Sequence, residues 1–312
     1  MILTRESTED CETKSGILTF AYKGNPESIH VNYDPVEKCL IEMNNLVSVN
    51  CGNLTIIGGM KNNLYHIFEF ELKECKQMSC LNFKGTFSSI VHFSSNSPPQ
   101  EDILIAVGYS SYYDLIFGTD GSNCIEYLVM NALFRSNPWR VCKDKIPSTV
   151  SDYQVNIYEN KLILTGGYNC DDREYSNQVL EGSITFEKSE LRVSWTLLKP
   201  MHEKRFNHVA AVIGDCLYCL GGEEDEDKDD LKSTEYYSFK SKEWKRGLNL
   251  QCCLSQAKGV VDQALKLCFI IGGVRDGVRS PQVSLFNPFE GLLDIEGDID
   301  ITSYNEITAV LL

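Results

Sequence analysis

The chain has 312 residues, 43% hydrophobic and 23% charged, which suits one large soluble globular domain or two smaller ones. Its formal net charge of −15 argues against nucleic acid or an anionic membrane surface as a partner, and leaves basic peptides or basic protein surfaces as easier ones. There are 13 cysteines. No secretory signal is read in MILTRESTEDCETK, and no apolar run reaches the roughly 20 residues of a membrane span. The cysteines are therefore expected to be reduced small hydrophobes in a cytoplasmic or nuclear setting.

Helical periodicity is nearly absent, and short apolar runs between turn residues predict an all-β chain. The first runs are Gly16 to Tyr22, with Gly24 behind it, and Ile29 to Tyr33; residues 4 to 15 are too polar to be expected as a strand. LTII then ends in Gly58-Gly59, followed by a strand from His66 to Leu72. A third group, Ser88 to Ile146, has a run closing at Gly108 and a strand from Cys124 to Met130, with Trp139 behind it. Its insert SSNSPPQED is kept out of any ladder by Pro98-Pro99. YQVNIYENKLILTGG follows, with a hairpin turn at Glu159-Asn160, a closing Gly166-Gly167 and Trp195 further on.

The fifth group is the clearest. His208 to Ile213 and Cys216 to Leu220 flank the turn Gly214-Asp215, and Gly221-Gly222 closes the second run. An acidic loop, EEDEDKDD, leads to Thr234 to Phe239, and Trp244 opens a fourth strand seven residues after Tyr237. KLCFIIGG ends the sixth group's second run at Gly272-Gly273, and Phe286 and Leu293 take the Tyr and Trp positions. SYNEITAVLL remains at the end as a strand without a partner of its own.

The order of Arg205, two apolar strands, Gly221-Gly222, loop, Tyr237 and Trp244 resembles a Kelch repeat. The closing glycines recur at spacings near the roughly 50 residues of such units. The resemblance implies a six-bladed Kelch β-propeller spanning 1–312 as one domain. Its blades would be 16–45, 46–85, 86–147, 148–200, 201–250 and 251–302, with 303–312 closing blade 1 and removing an exposed edge. The glycines are expected where each strand ends in a sharp, crowded turn.

In Kelch propellers one rim is built from loops behind the Gly-Gly strands and loops leading into each first strand. The resemblance places there Asn62 and Asn63 in blade 2, and Tyr109, Tyr112 and Tyr113 in blade 3. Tyr168, Asn169 and Arg173 follow in blade 4, Arg205 and Asn207 in blade 5, and Arg275 and Arg279 in blade 6. Tyr and Arg dominate interface hot spots, which favours a protein or peptide ligand. Many chains with this resemblance are substrate receptors of cullin ubiquitin ligases, docking through a BTB domain that this sequence does not include. The alternatives are an actin or cytoskeletal Kelch protein and, as a different class, an enzyme on a propeller scaffold.

Enzymatic and metal signatures are weak. The five histidines show no HxH or HxxxH spacing. Cys216 and Cys219 spell CxxC, but residues three apart on a strand face opposite sides, so both are expected in the core. No cofactor or metal is expected. The acidic loop 223–230 is read as a solvated loop, with a grip on a basic peptide as the functional alternative.

Overall fold

The computed structural model describes residues 2–7, 13–21, 30–35, 44–51, 54–61, 64–71, 74–78, 80–82, 86–95, 100–109, 123–130, 139–148, 150–169, 171–225, 227–280, 282–294 and 304–309. All regular elements among them are strands. They form six antiparallel four-stranded sheets, numbered here 1 to 6 along the chain, and two small three-stranded ones. The residues group into two compact units, Met1–Glu42 with Met201–Leu312, and Met43–Pro200.

Sheet 5 shows how the sequence dictates its unit. Val209–Ile213 pairs with Cys216–Leu220 across the Gly214-Asp215 turn, then Thr234–Ser238 and Glu243–Arg246 follow in order. Tyr237 lies directly opposite Trp244, with ring centroids 5.4 Å apart. Sheet 4 runs Gln154–Tyr158, Lys161–Thr165, Val179–Glu187 and Glu190–Leu197. There Gly182 faces Trp195, and a β-carbon on Gly182 would sit 2.7 Å from the indole. The same aromatic slot is thus filled by a Tyr–Trp pair in one sheet and by Trp over Gly in another.

Sheet 6 runs Lys258–Asp262, Leu267–Ile271, Val283–Asn287 and Gly291–Asp294. Its outer hairpin is one residue tighter than that of sheet 5. Leu292, which is buried, therefore opposes Phe286, and the expected Leu293 points outward.

Sheet 1 departs most from the expectation. Tyr304–Ala309 does complete it, but its neighbour is Ile2–Ser7, which in turn pairs with Thr13–Ala21 and then His30–Pro35. The polar stretch at the start is a strand after all, because a ladder is held by main-chain bonds that any non-proline residue supplies. The strand expected second is therefore third from Tyr304–Ala309, and Gly24 lies outside the described residues.

In sheets 2 and 3 the strands Leu54–Lys61 and Asp102–Tyr109 run on past Gly58-Gly59 and Gly108. In sheet 2 the ladder continues to Lys61↔Leu64, so the chain reverses there and not at the glycines.

Cores lie between neighbouring sheets of each unit. Ile56, Ile67, Leu104 and Trp139 pack between sheets 2 and 3; Ile105, Ile125, Leu162 and Leu164 between sheets 3 and 4. In the other unit Val209, Leu220, Cys268 and Ile270 join sheets 5 and 6. Each such Leu or Ile contributes roughly 1.5–3 kcal/mol by leaving water.

Glycine is required where two chain segments meet. Gly222 has φ +94, and a β-carbon there would lie 2.7 Å from the Phe206 carbonyl oxygen. Gly214 has φ +58 with nothing within 4 Å of the same position. Gly222→Ala is expected to cost roughly 3 kcal/mol, for backbone strain and collision together, and Gly214→Ala about 1 kcal/mol for strain alone. Urea unfolding of the two variants checks this; equal losses would contradict it.

Candidate functional site

Sheets 4, 5 and 6 each hold the loop behind their second strand in the same frame. The residue after the second glycine pairs with the segment leading into the first strand: Tyr168 with Ser151, Glu223 with Phe206, Val274 with Ser255. The next lead-in residue turns left-handed in every case, at Asp152 (φ 52), Asn207 (φ 53) and Gln256 (φ 55).

The far end of each loop is tied equally. The first glycine's N–H donates to Gln178, Ser233 and Gln282 in sheets 4, 5 and 6, at 3.0, 3.1 and 3.0 Å. The second glycine's carbonyl accepts from Ser176, Leu231 and Ser280, at 2.8, 2.7 and 2.8 Å. Six main-chain bonds thus pin three loops whose tips differ in sequence. Those tips carry Asp171 to Arg173 in sheet 4, the acidic run in sheet 5, and the Asp276-Gly277 turn in sheet 6.

Behind the sheet 5 loop lies a buried charge network. The Arg205 side chain is 0% exposed. Its Nε donates to Glu235 Oε1 at 3.0 Å, one terminal nitrogen to the carbonyls of Gly221 (2.6 Å) and Ser233 (3.0 Å), the other to Glu203 (2.7 Å) and the Ser233 hydroxyl (2.9 Å). Glu235 also accepts from the His202 backbone N–H at 2.7 Å. Burial opposes the Glu203 carboxylate, but bonds from Ser233 and Arg246 and the charges of Arg205 and Arg246 hold its pKa below the usual range.

Glu235 escaped the sequence reading. Its register position, opposite the residue two before the closing glycine, also holds buried glutamates in sheets 2 and 3, Glu69 and Glu126. Glu126 accepts from the Asn82 backbone N–H at 2.9 Å, as Glu235 does from His202. The glutamate stands at a different sequence distance behind the closing glycine in each of these three sheets, so only the strand register reveals the recurrence.

The expected contact residues divide sharply. Arg173 and Arg279 are exposed, on the loops of sheets 4 and 6. Tyr168 is half-buried, edge-on to Tyr175 at 6.0 Å, and Asn169 binds Asp172 at 2.7 Å within its own loop. Asn207 is half-buried and donates to Glu223 at 3.0 Å. Arg205 and Arg275 are buried, the latter donating to Ser284 at 2.7 Å, so both are framework groups and not contact groups. Tyr109 ends a strand, paired with Thr86 and Asn123, and does not lie in a loop. Asn62, Asn63, Tyr112 and Tyr113 lie outside the described residues.

Residues 204–249, the stretch that contains this frame and network, match the Kelch motif family. That stretch carries a Kelch motif, and the wider chain resembles Kelch-repeat proteins. Its fold is an all-β propeller fold: the solved structure of YjhT aligns with a TM-score of 0.64 at 12% identity, over 94% of this chain and 97% of that one. Among curated proteins, the Kelch repeat and BTB domain-containing protein 2 of cowpox virus is 28% identical over 51% of this chain and 26% of its own length. The horsepox virus protein of the same name is 27% identical over the same shares. Alpha-scruin of Limulus polyphemus is 32% identical over 32% of this chain and 11% of its own. This chain therefore spans about a quarter or less of the length of these relatives.

Three of the histidines have local partners. His92 pairs with Asp102 at 2.9 Å and His202 with Glu235 at 2.9 Å, while His66 meets Gln77 at 3.2 Å. No group of three or more His, Cys, Asp or Glu is placed to hold a metal ion among the described residues. Cys219 is buried while Cys216, on the other face of its strand, is half-buried. Burial pushes the Cys268 thiol up to about 12, which keeps it protonated and inert.

His208 is buried beside Arg205, and burial, then the Arg205 charge, push its pKa down from 6.5 to about 3. The unfolded chain takes up a proton below about 6.5 and the folded one does not, so acid favours unfolding across that window. The contribution is full above pH 6.5 and is lost towards pH 3, with a slope of up to one proton, about 1.4 kcal/mol per pH unit. His208→Gln is expected to flatten the pH dependence of urea unfolding between pH 6 and 4. An unchanged slope would contradict it.

Proposed function

We propose that this Kelch-repeat chain is a protein-recognition module that grips its partner through the loops behind the Gly-Gly strands. The observation that carries the reading is the contrast in sheets 4 to 6 between one repeated main-chain frame and three tips of different sequence. A rigid scaffold presenting variable loops is how binding surfaces are generally built. The reading takes residues 1–312 as a single propeller with these loops on one rim. The tips supply cationic Arg173 and Arg279 and the acidic run with Asp225, Asp227 and Asp229 exposed, which suits a ligand of mixed charge with basic residues towards sheet 5.

The recognition role fits a substrate receptor of a cullin ubiquitin ligase. Support comes from the viral relatives, whose names include a BTB domain; such a domain would link a propeller to a cullin. A binding role is favoured over an enzymatic one because the ionisable groups most suited to chemistry, Arg205, Glu235 and His208, are buried in the framework. Buried thiols such as Cys142, Cys219 and Cys268 fit a reducing, cytoplasmic setting.

The test is affinity purification under reducing conditions, comparing the unaltered chain with a variant carrying Arg173→Ala, Arg279→Ala and Asn at positions 225, 227 and 229. The variant is expected to melt at the same temperature and to lose the specific partner. A cullin is expected only when a BTB-containing protein is recovered too. Identical partners from both chains would overturn the loop assignment, and a cullin-free set of partners would overturn the ligase role.

A further inference from the structure

Sheet 6 carries a second surface feature, at the opposite end from the loops discussed above. In each four-stranded sheet the hairpin turns after strands one and three share one end, and the Gly-Gly loop lies at the other. In sheet 4 that hairpin end presents Glu159-Asn160 and Lys188-Ser189; in sheet 5 it presents Gly214-Asp215 and Lys240-Ser241. Both are polar apart from the half-buried Phe239 in the sheet 5 turn, and Lys240 is paired to Asp215 at 2.8 Å. In sheet 6 the same two turns present Leu265, 45% exposed, and Phe289, 88% exposed. Strand spacing sets the two turns roughly 10 Å apart.

Neither residue is there by slackness of the chain. Phe289 sits in Asn287-Pro288-Phe289-Glu290, where the Asn287 side-chain oxygen accepts from the Phe289 N–H at 2.9 Å and its carbonyl from Glu290 at 3.2 Å. The Asn287 amide donates to Glu290 at 3.2 Å, Pro288 fixes its own φ, and Gly291 closes the hairpin at φ +86. Leu265 is held likewise: its N–H and that of Ala264 donate to the Asp262 carboxylate at 3.0 and 2.9 Å. The turn chemistry needs Asn287, Pro288 and Gly291 but nothing aromatic at 289, where the sheet 5 turn has Lys240 and its one aromatic residue, Phe239, is half-buried. An exposed phenyl ring on a pre-set turn is therefore surplus to folding, and a rigid knob binds with little ordering cost.

We propose that this hairpin end of sheet 6 is a docking site for a folded protein domain with an apolar pocket one phenyl ring deep, shallow apolar surface beside it for Leu265, and a Lys or Arg at its mouth for Glu290. Phe289 enters the pocket and Leu265 covers its flank. Exposed Glu290 beside the ring, in a chain of net charge −15, sets the basic rim and disfavours an anionic lipid surface. The site is independent of the Gly-Gly loops, so a partner held there leaves them free for another.

The test uses the full chain in cells with a photo-crosslinking phenylalanine analogue at position 289, and at Ser241 as the equivalent polar turn. The expected result is one dominant adduct specific to 289. Mass spectrometry should place the linkage in an apolar pocket bordered by Lys or Arg on another protein. That purified partner should bind the unaltered chain and lose about tenfold or more affinity with Phe289→Ser. Phe289→Ser is expected to melt unchanged, which separates lost docking from lost fold. Adducts to a second copy of this chain, adducts to lipid, or the same pattern from 289 and 241 would each overturn the proposal.

Discussion

The structure depends on how closely two pieces of main chain approach each other behind the Gly-Gly pairs of sheets 4, 5 and 6. A β-carbon on Gly167, Gly222 or Gly273 would lie 2.2, 2.7 or 2.5 Å from a carbonyl oxygen or side-chain carbon of the lead-in segment. Gly221 faces the Leu254 carbonyl across sheets 5 and 6 at 2.1 Å in the same sense. Only a residue without a side chain permits that contact, and the contact makes the short bridges that carry the loops. Loop position is therefore set by packing of backbone on backbone, and tip sequence is released to vary.

Where side chains reinforce this frame they do so by different means. Sheet 5 uses a fully buried guanidinium, neutralised by Glu235 and Glu203 and satisfied by two carbonyls and a hydroxyl. Sheet 6 has Leu254 at the position of Arg205 and Ser284 at that of Glu235, and Arg275 reaches Ser284 from the loop. Breaking one partner of such a network leaves a buried charge unmatched, which costs more than the intact pair contributes. Arg205, which the Kelch resemblance places on the rim, is thus held inside the frame, and the exposed groups of these loops include Arg173, Arg279 and the acidic tip.

Much of the fold was legible because its determinants are local. Four Gly-Gly pairs behind apolar runs, the Gly214-Asp215 turn and the Tyr237–Trp244 spacing fix strands and order with no knowledge of distant contacts. What was not legible depends on partners far along the chain. Ile2–Ser7 is a strand only because Tyr304–Ala309 and Thr13–Ala21 lie on either side of it. Asp152, Asn207 and Gln256 share one left-handed conformation but no residue type, so no pattern announces it. The sequence marks Arg205 as the first landmark of its repeat but not its burial, which depends on Glu235, thirty residues on. The sheet 6 slip from Leu293 to Leu292 turns on one residue of hairpin length.

The account's central claim is that three loops with dissimilar tips are held by one frame. Amide hydrogen exchange measured residue by residue on the intact chain tests it most directly. The N–H groups of Ser176, Leu231 and Ser280 should exchange about as slowly as those of the flanking strands. Those of the tips, residues 172, 173, 225, 229 and 277, should exchange orders of magnitude faster. If those three amides exchange as fast as the tips, the loops are not pinned, and no common frame presents them to a partner.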